Sequence, residues 1–355
     1  MAAWTWLIPT LSLALLVGGI VAGVGPILAG VCGAALIGAV IAAVHHAEVV
    51  AHRVGEPFGT LVLAVAVTVI EASLILSMML AGGTGASALP RDTIYAAIMI
   101  ICNGVVGLCV LVGGMAHREQ AFRVEGASAG LAALIALSAF SLVLPVFTIS
   151  TPGGTYNNAQ LAFAALTSAV LWAVYVFIQT VRHRDYFLPP QDASAPDAHA
   201  EPPTQFQAWV SFGLLVASLV GVVGLAKLIS PLIEEAVDRA GAPKAVIGIV
   251  IAMLVLLPET WAAARAAYAN RLQTSMNLAL GSALASIGLT IPVVAIASIL
   301  LHTPLVLGLG PKDLVMLAVT FLLTVVTLGT GRTHVMQGAV HLVVFATYLF
   351  LAFVP

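Results

Sequence analysis

The sequence predicts an all-α polytopic membrane protein with eleven transmembrane helices, and three observations predict it. Apolar runs near twenty residues recur from end to end of the 355-residue chain, each long enough to cross roughly 30 Å of hydrocarbon. Only 8% of the residues are charged and 61% are hydrophobic, whereas a soluble domain carries about 25% charged residues. The runs also lack the alternation of apolar and polar positions that marks a transmembrane β-barrel.

Taken in order, the first run (4–23) has neither a basic leader nor a convincing cleavage site, so it reads as a retained helix. The second (25–44) ends in "HHAEVVAH", which holds His45, His46, Glu48 and His52. Such histidines usually sit at the interface; the functional alternatives are a metal site or a proton entry. The third run (58–81) contains "VLAVAVTVIEASLILSMML", with Glu71 alone in its middle and Arg53 and Glu56 ahead of it. Glu56 reads as a capping or interface residue, or as a gate. The fourth (93–115) carries Asn103, Gly104 and Gly107, and the fifth and sixth cover 127–147 and 159–181.

The one long polar stretch follows, "RHRDYFLPPQDASAPDAHAEPPTQ", with the Pro, Ala and Asp content of a linker. The remaining runs lie at 208–229, 243–266, 274–301, 312–330 and 335–354. The eighth repeats the puzzle of the third, since Glu259 stands within it directly after Pro258. The ninth carries Ser282, Ser286 and Thr290, spaced four apart and so near one helical face. The last contains His341, which either bonds a neighbouring helix or relays protons. Cys32, Cys102 and Cys109 all fall in apolar runs and read as packing residues.

Runs two to six and seven to eleven form two blocks of five, each with its glutamate on the second helix. An odd number per block makes the second enter from the opposite side. This is the layout of an inverted repeat, which places a transporter's site at the midplane. The predicted organisation is therefore an extra helix (1–24), a first repeat (25–181), a cytoplasmic linker (182–207) and a second repeat (208–355). Eight basic residues fall on the side of the N-terminus and five on the other, of 13 in all. That bias orients the N-terminus to the cytoplasm and the C-terminus to the periplasm.

Intramembrane carboxylates are costly and mark ion or proton pathways. Two of them, in matching positions, point to a shared cation. Pro258 reads either as a packing kink or as the means of freeing a backbone carbonyl, a hard oxygen ligand, one turn earlier. No P-loop, no H-E-x-x-H and no nucleophile paired with a base appears, so the sequence points to no enzyme. A net charge of −2 with no basic patch gives no reason to invoke nucleic acid, and the partner implied is the bilayer. The number of copies in the assembly is left open.

"GEPFGTLVLAVAVTVIEASLI" and "LLPETWAAARAAYANRLQTSMNLALGSALASIGLTIP" resemble the two α-repeats of the calcium/cation antiporter superfamily. The similarity is greatest to the bacterial ChaA-type Ca²⁺/H⁺ (and Na⁺, K⁺/H⁺) antiporters of its CAX branch. It extends over most of the chain and implies a ten-helix core of inverted repeats in a bacterial inner membrane. It also implies that Glu71 and Glu259 bind the transported cation and exchange it for protons. Asn103 and Ser282 match polar positions of the family's repeats, and Ser286 extends that polar face. Members of the branch usually have Gly-Asn shortly before each glutamate, whereas here Thr68 and Leu256 stand three before. At least one amide ligand is thus missing, which leaves the cation open among Ca²⁺, Na⁺ and K⁺.

Two glutamates match the charge of one Ca²⁺, and Asn103, Ser282, Ser286 and backbone carbonyls offer further oxygens to an ion that takes six to eight. Once the cation leaves, an empty charged site would cross the membrane only at large cost, so protons neutralise it before it reorients. The expected function is cation/proton antiport by alternating access, exporting the cation and needing no cofactor. A passive cation channel built on the same site is the alternative.

Overall fold

A computed structural model describes residues 2–55, 58–81, 85–188 and 203–354. These residues are almost wholly helical. The helices, here α1 to α11, are Ala3–Ala22, Pro26–Val54, Phe58–Ala81, Leu89–His117, Val124–Phe147, Asn158–Arg182, Gln205–Arg239, Ala245–Tyr268, Leu272–Leu301, Pro311–Leu328 and Val335–Phe353. Ten are long and apolar enough to cross a membrane, and in α3 the apolar stretch is Ala64–Leu80. The polytopic all-α fold expected from the sequence is therefore observed.

Local chemistry sets several helix ends. Pro26 and Pro311 open α2 and α10, where the missing N–H has no intrahelical acceptor in any case. Asn157 begins α6 with a reciprocal cap: its side chain accepts from the Gln160 N–H (2.9 Å), and Gln160 Oε1 accepts from the Asn157 N–H (3.1 Å). His334 and Gln337 form the same device at α11.

Two helices run further than hydropathy indicates. The helix α2 continues to Val54, so "HHAEVVAH" lies within it rather than at its end. Likewise α7 extends to Arg239, carrying Glu234 and Glu235 on helix, with Glu235 paired to Arg239. A different departure occurs in α4, where Ile100–Val105 is π-helical. There the Val106 N–H reaches the Ile101 carbonyl five residues back.

The described residues fall into two compact units. Unit 1 comprises Met1–Leu89 and Asp197–Val255; unit 2 comprises Pro90–Pro196 and Leu256–Pro355. In unit 1 the core lies where Val40, Ala43 and Ala47 of α2 meet Val222, Leu225 and Ala226 of α7. Small residues let α1 in as well, since a Cβ on Gly221 would meet Ser12 Oγ at 2.5 Å.

In unit 2, α9 is central and packs against α4, α5 and α6. The connections of this unit are joined at two rims. At one, strand β1 (Glu119–Ala121, after α4) pairs antiparallel with β2 (Arg332–His334, before α11). On the same rim His117 Nε2 donates to the Tyr268 carbonyl (2.7 Å), and Asn277 Nδ2 donates to that of Phe187 (2.5 Å). Phe187 is buried in a 3₁₀ turn, Arg184–Phe187, so the start of the expected linker is ordered against α9. At the other rim Thr155 bridges Val306, and Arg91 donates to the Gly308 carbonyl (3.1 Å). Each rim joins connections separated by an even number of crossings, as the order of helices requires.

Candidate functional site

Glu71 lies midway along α3 in unit 1 and is 4% exposed. Thr68, one turn earlier, is as buried, and its hydroxyl donates to the Ala64 carbonyl (2.8 Å). That bond uses the Thr68 proton, so toward any other group the hydroxyl can only accept. Glu259 lies on the unit 2 part of α8, half-buried, between Pro258 and Thr260. Pro258 sits inside the helix and has no N–H to give the carbonyl one turn before it. Thr260 Oγ1 donates to the Leu256 carbonyl (2.6 Å), a different acceptor from the Leu254 carbonyl four residues before the proline.

Asn103 is fully buried in the π-helical segment of α4, and the structure gives it partners from two distant helices. Its Nδ2 donates to Thr320 Oγ1 of α10 (2.9 Å), while its Oδ1 lies 3.2 Å from His341 Nδ1 of α11. His341 is also fully buried, and its Nε2 lies 3.0 Å from Thr327 Oγ1. Of the two sequence readings of His341, the structure displays the bond to a neighbouring helix. The glycines beside Asn103 explain the close approach: a Cβ on Gly107 would meet His341 Cβ at 2.9 Å. The small-residue stripe of α4 thus admits α11.

Ser282 is half-buried on α9, whereas Ser286 and Thr290 are buried on the same helix. This helix packs against the π-helical segment of α4, so Asn103 and the hydroxyl face belong to adjoining elements of one unit.

The second-helix histidines do not converge. His46 is fully buried and its Nε2 donates to the Thr5 carbonyl of α1 (2.7 Å). Glu48, two residues on and so across the helix, is exposed, and the His45 ring lies against Trp4. Among the described residues no three or more His, Cys, Asp or Glu gather in a group suited to a metal, so the metal reading of "HHAEVVAH" has no support. Glu56 lies outside the described residues.

Sequence reading missed the threonines of α10. Thr320, Thr324 and Thr327 are all fully buried, and the first and last hold Asn103 and His341. The signal was present as "TFLLTVVT", a hydroxyl stripe at helical spacing in an otherwise apolar run.

The chain is similar to the ChaA sodium-potassium/proton antiporter of Escherichia coli, with 36% identity over 90% of this chain and 87% of that protein. It is also similar to y4hA of Sinorhizobium fredii, with 51% identity over the same shares. Among solved structures, native YfkE superposes with a TM-score of 0.75 at 19% identity, covering 99% of this chain and 100% of that one. The H⁺/Ca²⁺ exchanger CAX gives 0.73 at 15% identity, covering 98% and 87%. These two show that the fold is shared. The family described as sodium/calcium exchanger protein matches residues 24–181 and 210–354. Most of the chain is thereby accounted for, and it belongs to the sodium/calcium exchanger family.

Proposed function

We propose that this chain is a secondary antiporter that moves Ca²⁺, Na⁺ or K⁺ against protons by alternating access. Glu71 and Glu259 are its cation- and proton-binding carboxylates. The observation that carries this reading is their matched placement: one acid on α3 and one on α8, each the second helix of a block of five. The division of the chain supports the repeat. Unit 1 takes α1, the first two helices of the first block, α7 and Ala245–Val255 of α8, while unit 2 takes the last three helices of each block and the rest of α8, Leu256–Tyr268, which carries Glu259. Family membership and the antiporter named among the relatives support exchange, and give no support to the channel alternative.

Each carboxylate carries its charge where hydrocarbon would otherwise make it prohibitive, so cation and proton compete to neutralise it. Asn103, Ser282 and Ser286 add neutral oxygens, which suit a hard cation. Protons replace the cation when it leaves, and the neutralised site crosses. We place the protein in the inner membrane with its N-terminus in the cytoplasm, which the bias of basic residues supports.

The test is proton-gradient-driven ⁴⁵Ca²⁺, Na⁺ and K⁺ flux in proteoliposomes, with Glu71→Gln and Glu259→Gln beside the wild type. Both substitutions should abolish gradient-dependent flux, and the ion that moves in the wild type names the substrate. Full coupled transport by either variant would refute the assignment.

A further inference from the structure

The contacts of Asn103 fix more than its position. Thr320 Oγ1 gives its proton to the Met316 carbonyl (2.8 Å), so toward Asn103 it acts as acceptor. The Asn103 NH₂ therefore faces Thr320, and the amide oxygen faces His341. Against an oxygen, His341 Nδ1 must be the donor. In a neutral ring Nε2 is then the acceptor, and it receives the Thr327 hydroxyl proton. These contacts give one self-consistent order of donors and acceptors from α10 through α4 to α11 and back to α10.

The helix around Asn103 departs from α geometry. In an α-helix the Val106 N–H would serve the Cys102 carbonyl; here it serves Ile101 and Asn103 instead. The side chain of Asn103 is thus presented from a stretch where the helical hydrogen-bond register has shifted. An amide oxygen has two lone pairs, and His341 takes one.

We propose that His341, assisted by Thr320, is a positioning residue that holds the Asn103 amide with its oxygen's second lone pair directed to the transported cation. The proposal rests on Asn103 being a ligand of that cation. It gives the π-helical turn a purpose, since the turn and His341 together set which end of the amide the ion meets. An Asn free to rotate would present its NH₂, which repels a cation, for part of the time. The arrangement is the transport counterpart of an outer-shell hydrogen bond that orients a metal ligand, where removal typically weakens affinity about 10-fold or more.

The test is the cation dependence of gradient-driven flux by the full-length protein in proteoliposomes. The variants are His341→Leu, His341→Gln, Thr320→Val, Asn103→Ala and the double variant Asn103→Ala/His341→Leu. We expect His341→Leu to raise the half-saturating cation concentration by about 10-fold with little change in maximal rate. The glutamine amide, still a donor, should restore most of the affinity. In the Asn103→Ala background, His341→Leu should add nothing. Should His341→Leu fail to fold, Thr320→Val asks the same question from the other end of the amide. An unchanged half-saturation in both His341→Leu and Thr320→Val, or an undiminished penalty when Asn103 is already alanine, would overturn the proposal. Loss of transport in the glutamate variants together with absent Asn103–His341 coupling would sink this inference alone. Persistence of transport in those variants alongside intact coupling would sink the carboxylate assignment alone.

Discussion

Gly338 and Leu111 stand backbone to backbone: a Cβ on Gly338 would meet the Leu111 nitrogen at 2.5 Å. The helices α11 and α4 cross there with no side chain between them, which brings His341 of one to Asn103 of the other. Gly338→Ala should therefore force the helices apart, costing roughly 1–3 kcal/mol as an overpacked core does. Gly30 on α2 meets nothing within 4 Å, so Gly30→Ala should be neutral or stabilising by at most about 1 kcal/mol. Thermal unfolding in detergent compares the two. Equal midpoints would show that the crossing tolerates a methyl group.

The cap of α6 gives a second expectation. Asn157→Ala removes the acceptor for the Gln160 N–H and breaks the reciprocal bond, at a cost of about 1 kcal/mol. Asn157→Asp keeps an acceptor and should retain most of that stability. The unfolding midpoints of the two variants should differ accordingly.

All three cysteines are buried and none is in a disulfide. The folded protein should therefore resist a maleimide of high mass until denatured, and then take up three equivalents. Rapid labelling of the native protein at any of them would contradict the packing.

The strand pair tests sidedness directly. Ala121 faces Arg332 in the register of β1 and β2. Cysteines placed at both should oxidise to a cross-link, since neighbouring strands bring Cα atoms within disulfide range. Each alone should be labelled by an impermeant reagent from one and the same side of the membrane. Labelling from opposite sides would mean that the order of crossings is wrong.

How much of this was legible follows from what hydropathy measures. It reads burial in lipid, so the apolar cores of the helices were placed well. It does not read helicity, so the ends of α2 and α7 were cut short where Ala, Glu and His continue the helix at lower hydropathy. The candidate acids were legible because a carboxylate in an apolar run is conspicuous. The π-helical turn was not, because its sequence, IICNGV, is locally unremarkable and its partner lies 238 residues away. Nor was the role of the α10 threonines, since a hydroxyl bonded within its own helix looks the same in sequence as one that holds a neighbour's amide.

The two rims of unit 2 have a mechanical consequence. Helices that share only a greasy flank can slip past one another lengthwise at little cost, because methyl groups make no distinction between neighbouring positions. Here the strand pair latches one end and the Thr155–Val306 bridge latches the other. Sliding along the axis would unzip both latches at once. The bundle of unit 2 is in effect a set of staves hooped at top and bottom.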